Sequence, residues 1–257
     1  MAERHKSGVE TRERGDIYFF YRPKIEQEEP HERSDVQRMY FVMSPEDRHR
    51  YRLAIVGGKR MPDPSQSATT RLWGFIDMVR KDPKSIRQEL MEQTYSTKTR
   101  GRRRVPAARP FGEGVYRIVK HDGHTHLVYA LELPKQEREP QHALNVEDQA
   151  SYVISVKNPQ RPSPRGAGLG PKQEAQYPKY LMEKFRGRKF SEVDPVEFLD
   201  HEGAEMMLVS ASEDIQDELG ITLDVENETK ASADIFRDLH VDSNNRPTEP
   251  LFTGVWE

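Results

Sequence analysis

The feature that most constrains this chain is that it says much the same thing twice. One stretch reads Gly15-Asp-Ile-Tyr18-Phe-Phe-Tyr-Arg22, then Tyr40-Phe-Val-Met-Ser-Pro45, then Tyr51-Arg-Leu-Ala-Ile-Val56, and closes on Arg60-Met-Pro62-Asp-Pro64. A second reads Gly114-Val-Tyr116-Arg-Ile-Val-Lys120, then Tyr129-Ala-Leu-Glu-Leu-Pro134, then Tyr152-Val-Ile-Ser-Val156, and closes on Arg161-Pro162-Ser-Pro164. Matching aromatic and proline spacing over this length predicts an internal repeat. The runs have the short apolar character of strands, and each set of three is followed by a stretch with helical spacing. The expected fold class is therefore α+β: two related strand-rich halves of β-β-β-α type, packed as one pseudo-symmetric body.

Only 34% of the 257 residues are apolar and the mean hydropathy is −0.90, so the core must be concentrated in those runs and the connections polar. No apolar run approaches the ~20 residues of a membrane helix. Residues 1–14 lack the apolar core of a signal peptide, and the chain has no cysteine. Together these point to the cytoplasm. The expected organisation is a disordered tail over 1–14, a first repeat half over 15–95, a basic loop over 96–111, a second half over 112–212 and an acidic extension over 213–257. The extension carries 12 acidic residues against 3 basic ones, a net of −9, which leaves the rest of the chain at +6. That asymmetry, with Leu251, Phe252 and Trp256 as an apolar anchor, predicts an extension docked on the body and competing with any anionic ligand of the basic loop.

Within this frame, Ile17, Phe19 and Tyr21 alternate with Tyr18 and Phe20, as in a central strand buried on both faces. His121-Asp-Gly-His124 predicts a hairpin turn, because Asp-Gly tolerates the positive φ of a type I′ turn. Leu72, Phe75, Ile76 and Val79 follow helical spacing behind the candidate caps Thr69 and Thr70. Further helices are expected through Ile86 and Leu90, through Leu181 and Phe185, and at 213–219 and 232–239. Glu202 to Val209 reads as a seventh strand.

The strongest candidate site is the run from Lys98 to Arg109, with Lys98, Arg100, Arg102, Arg103, Arg104 and Arg109 in twelve residues and no carboxylate. Guanidinium groups suit phosphate because they donate in a planar fork. Ser96, Thr97 and Thr99 add hydroxyls, Gly101 lets a backbone approach an anion, and Tyr95 and Phe111 flank the run. A solvated loop, neutralised by acids elsewhere, is the plainer reading of the same residues. His121, His124 and His126 cluster with Asp122, but no third ligand is reserved for a metal, so no metal site is expected. Gly166-Ala-Gly-Leu-Gly-Pro-Lys172 lacks the hydroxyl residue of a phosphate-cradling loop and reads as a linker. No nucleophile elbow, H-E-x-x-H pair or dinucleotide fingerprint is present, so the chain leans away from an enzyme and no cofactor is expected.

Five segments resemble an uncharacterised family of bacterial and fungal proteins. They are Gly15-Asp-Ile-Tyr-Phe-Phe-Tyr-Arg-Pro-Lys24, Thr97-Lys-Thr-Arg-Gly101, Gly112-Glu-Gly-Val-Tyr116, Ser155-Val-Lys-Asn-Pro159 and Asp200-His-Glu-Gly-Ala-Glu205. Fungal proteins with similar segments often carry the label "BTB domain transcription factor". That label names a helix-rich dimerisation fold, which the strand-heavy pattern here does not match. The resemblance implies kinship and no catalytic residue. The expected function is a cytoplasmic binding protein that contacts nucleic acid or another phosphate-bearing ligand through Lys98, Arg100, Arg102, Arg103, Arg104 and Arg109. The alternatives are an enzyme with a cleft between the halves, or a protein–protein scaffold.

Overall fold

The computed structural model describes residues 8–47, 49–66, 70–99, 101–135, 139–163, 168–170, 172–242 and 246–256. The apolar runs are strands, and so is much of what lies between them. In chain order they are β1 (Glu10–Pro23), β2 (Val36–Pro45), β3 (Tyr51–Val56), β4 (Arg71–Arg80), β5 (Gln93–Thr97) and β6 (Gly101–Val105). There follow β7 (Arg109–His121), β8 (His124–Leu133), β9 (Gln149–Lys157), β10 (Phe190–Glu192) and β11 (Glu205–Ser212). The helices are short: α1 (Lys84–Leu90), α2 (Glu139–Leu144), α3 (Lys179–Lys184), α4 (Ile215–Leu219), α5 (Asp234–Asp238) and α6 (Glu249–Phe252). None is long and apolar enough to cross a membrane.

Strands β1–β4 form one antiparallel meander, and β7, β8, β9 and β11 form another. Antiparallel β1–β7 and β4–β11 pairs join the two into a closed eight-stranded barrel, with β10 extending the far end of β9. Closure removes the free edges that an open sheet of this length would expose. A barrel of eight strands has a lumen that side chains can fill. Here Phe19 lies at its centre, with ring centroids 5.0 Å from Tyr129, 6.3 Å from Phe111 and 6.4 Å from Phe41.

The outward face of β1 is equally dry. Tyr18, Phe20, Tyr40, Val42 and Leu53 are covered by Ile86 and Leu90 of α1 and by Ala233, Ile235, Leu239, Val241 and Leu251 of the extension. This is why β1 is apolar at consecutive positions. A smaller cluster packs Ile215 and Leu219 of α4 on Val119 and Val128. Gly15 and Gly114 are required where neighbouring backbones close in. A Cβ at Gly15 would strike the Ser44 carbonyl and lie 2.8 Å from Pro45 Cα, and one at Gly114 would strike the Ala130 carbonyl and lie 2.7 Å from Leu131 Cα.

The barrel overturns the expected α+β class and its β-β-β-α halves. Residues 71–80, read as a helix, are β4. The β3–β4 ladder has a bulge, with Ala54 opposite Ile76 but Leu53 opposite Met78, so Asp77 is an extra residue. The extra residue puts Ile76 and Val79, three apart, on the same core-facing side, and the spacing imitates a helix. The duplicated spacing also fails in register. Tyr40 lies opposite Phe20, five residues beyond Gly15, whereas Tyr129 lies opposite Tyr116, two beyond Gly114. Aromatic strands that end in proline turns reproduce such a pattern without corresponding places in the fold. Two boundaries also shift: β1 is already strand at Glu10, and the basic loop over 96–111 is mostly a hairpin followed by the start of β7. The Asp122-Gly123 turn has both residues at positive φ, 48° and 76°, as the hairpin reading requires.

Candidate functional site

Strands β5 and β6 form a separate two-stranded ribbon outside the barrel sheet. Its sequence explains this position: neither strand carries the alternating apolar residues that would anchor it in a core, and its burial pattern is exposed almost throughout. Directly opposed residues share a face of a ladder. Tyr95 and Arg103 therefore lie on one face, while Thr94 with Arg104 and Ser96 with Arg102 lie on the other. Tyr95 is 43% exposed, more than almost any other large apolar residue in the fold.

The base of the ribbon is held by buried arginines that donate to carbonyl oxygens. Arg22, 3% exposed, donates to Met91 O (3.1 Å), Pro106 O (2.7 Å) and Glu89 O, and to the Tyr40 hydroxyl (3.1 Å). Arg246 donates to Ala108 O at 3.2 Å, and burial, then repulsion from Arg22 and Arg87, pulls its pKa down to about 10. Arg109, one of the six expected site residues, belongs to this buried group. It donates to Glu28 O (2.5 Å) and Trp256 O (3.3 Å), which makes it a structural anchor at the ribbon base.

The other expected residues divide by position. Arg104 pairs with Glu92 (2.6 Å) and Glu28, and these carboxylates hold its guanidinium above its ordinary pKa. Its own N–H donates to Glu26 Oε1 at 2.9 Å, and Glu26 N–H donates back to Arg104 O at 3.1 Å. Arg103 lies 3.5 Å from Glu26. Lys98 and Arg102 are exposed and form no ion pair among the described residues, while Arg100 lies outside them. The acids that neutralise the ribbon base thus come from the β1–β2 connection and from Glu92. No ion pair of the C-terminal extension with Arg102, Arg103 or Arg104 occurs among the described residues, where the extension's charges meet Arg117 and its own Arg237. With 43 acidic residues in the chain, nothing in their spacing singles out Glu26, Glu28 and Glu92.

A groove of about 810 Å³ is lined by Arg38, Phe75 and Asp77 of the first meander and by Gln173, Asp200, His201 and Glu202 from the connection between β9 and β11. Several of its carboxylates are committed: Asp200 to Arg52 and Arg50, Glu174 to Lys157 (2.8 Å), and Glu202 to Arg80 and the Val79 N–H (3.0 Å). The histidine cluster also separates. His124 is exposed, whereas His126 is 5% exposed with its Nδ1 3.2 Å from Ser151 Oγ and 3.6 Å from Glu218. Burial, then His121 and His124, pushes His126 down to about 4. Of the glycine-rich segment, residues 164–167 and 171 lie outside the described residues, and Leu169 N–H donates to Glu205 at 3.3 Å. Among the described residues, one group of carboxylates is close enough to share an ion, Asp16, Asp234 and Asp238. Arg237 already sits on two of them, and the Tyr18 hydroxyl donates to Asp238 at 2.9 Å.

No protein-family model matches the chain, and no curated protein or solved structure matches it.

Proposed function

We propose that this is a non-enzymatic, cytoplasmic binding protein whose β5–β6 ribbon engages phosphate groups, with nucleic acid as the ligand. The observation that carries this reading is a cation-rich two-stranded ribbon standing outside a closed barrel, with its base held by buried arginines and its Lys98 and Arg102 turned to solvent. Two-stranded ribbons of this size fit a nucleic-acid groove. Thr94 and Ser96 on the Arg102 face add hydroxyl donors, and Tyr95 beside Arg103 offers a ring for stacking. A further support is that one of the five segments behind the family resemblance, Thr97 to Gly101, starts at the last residue of β5 and ends at the first of β6. Kinship with the bacterial and fungal family belongs to the same proposal.

The test uses Lys98→Ala/Arg102→Ala, because these side chains are outside the ion pairs of the ribbon base. Binding to a labelled oligonucleotide should weaken with added salt. The slope of log K against log salt should be smaller by about one to two in the double variant, with the melting temperature unchanged. No salt-dependent binding by the unaltered protein to single- or double-stranded oligonucleotides at low salt would sink the reading.

A further inference from the structure

The extension meets the barrel at a point where acids outnumber bases, which is an unusual way to hold two surfaces together. Glu113 projects outward from β7 and is 1% exposed; Glu228 in the extension is 4% exposed. The Asp234 N–H lies 2.5 Å from Glu113 Oε1 and 3.4 Å from Glu228 Oε2, so the two carboxyl groups meet at one amide. Glu113 Oε1 also accepts from Ile235 N–H at 3.2 Å, which caps the start of α5. Glu113 Oε2 is buried with no hydrogen-bond donor. Neither carboxyl has a cation partner among the described residues, since Arg237 is taken by Asp234 (2.7 Å) and Asp238 (2.9 Å). Two ionised carboxylates cannot share such a place: water is excluded and no positive charge offsets their repulsion.

We propose that Glu113 and Glu228 share one proton, and that this O–H···O bond latches the extension to the barrel so that docking weakens as pH rises. The proton gives Glu113 Oε2 the role it otherwise lacks and removes one of the two charges. Burial, then Glu228, raises Glu113 to about 10.

The surroundings act in the same direction. Around the pair lie Asp16 and Tyr18 from β1, Glu132 from β8, and Glu226, Asp234 and Asp238 from the extension, with Arg237 as counter-charge. Burial, then Asp238, raises Asp16 to about 7. Burial raises Glu132 to about 7 even though it accepts the Glu226 N–H at 2.5 Å. Acids whose pKa is raised by docking bind more protons docked than released. Their contribution is therefore full at low pH and is lost as pH rises, through about 7 for Asp16 and Glu132 and through about 10 for Glu113. Release would bare Tyr18, Phe20, Tyr40, Val42 and Leu53, an apolar patch on an otherwise polar molecule.

Hydrogen exchange on the full chain at pH 6 and pH 9 tests this, using protection factors that divide out the intrinsic base-catalysed rate. Protection over residues 226–239 should fall by at least about tenfold between the two pH values, while β9 keeps its own. In Glu113→Gln the amide keeps the Oε1 acceptor and offers Glu228 a hydrogen that does not titrate, so the fall should be at least about tenfold smaller than in the unaltered protein, leaving the part that Asp16 and Glu132 contribute. Glu228→Gln should do the same from the other side, so either variant suffices if the other fails to fold. Protection that is flat with pH in the unaltered protein overturns the proposal. So does an undiminished fall in both variants, or an equal fall in β9.

Discussion

The lumen and the outer face of the same strands treat buried charge in opposite ways. Inside, Arg52 on β3 is fully buried, but its guanidinium lies 2.5 and 3.0 Å from the two oxygens of Glu13 and 2.8 Å from Asp200. The Tyr116 hydroxyl completes the set, donating to Glu13 at 2.8 Å. Burial disfavours the Arg52 charge, and the hydrogen bonds and attraction of Glu13 outweigh it, so the group is held above its ordinary pKa. Outside, Asp16 on β1 and Glu113 on β7 meet more carboxylates and one arginine. Buried charge is tolerated inside because opposite charges are paired, and outside because protons remain bound. The first arrangement should break on mutation, and the second should respond to pH.

The largest effect should come from the paired side. Arg52→Ala leaves buried Glu13 without its cation and Asp200 with Arg50 alone, and should cost about 3–5 kcal/mol in urea denaturation at pH 7. A loss below about 1 kcal/mol would mean that the lumen network is as loosely compensated as the outer one.

A second contrast lies at α4, where His126 gives a slope of the opposite sign to the carboxyl latch. Its folded pKa is depressed to about 4, so its contribution is full above its ordinary value of 6.5 and is lost as pH falls from there toward 4. The effect is at most ~3 kcal/mol. His126→Gln should flatten the acid limb of a stability–pH curve. Glu218 is raised by burial and contributes with the other sign, so the difference between the variant and the unaltered protein isolates the histidine. An unchanged acid limb would show that the ring is not desolvated.

The smallest effect belongs to a single bond across the acidic interface. Tyr18→Phe removes the donor to Asp238 while keeping the ring that packs beneath the extension, and should cost about 0.5–1.5 kcal/mol by thermal melting. A larger loss would make the hydroxyl, and not the shared proton, the main polar tie of the extension.

The strands were legible because alternation reports which residues face a core. Ile17, Phe19 and Tyr21 with Tyr18 and Phe20 announced a strand buried on both faces, although whether a lumen or another layer covered each side was not written there. The Lys98–Arg109 run was legible as charge. Its division into an exposed turn, a paired base and the buried Arg109 was not, because the pairing partners Glu26, Glu28 and Glu92 are ordinary acids in an acid-rich chain.

What the sequence determined by itself is local: strand periodicity, the Asp122-Gly123 turn and the uneven charge. Tertiary structure decided everything that depends on a partner distant in the chain. The pairing of β4 with β11 turned two meanders into a barrel, and one bulged residue at Asp77 turned an apparent helix into a strand. The acidic extension, whose net charge points toward the arginines, lies instead on apolar residues and on Glu113. Charge in water is screened and spread over many partners, whereas apolar area is recovered only where two surfaces fit. Where that fit brought acids together, the chain retained protons in place of cations.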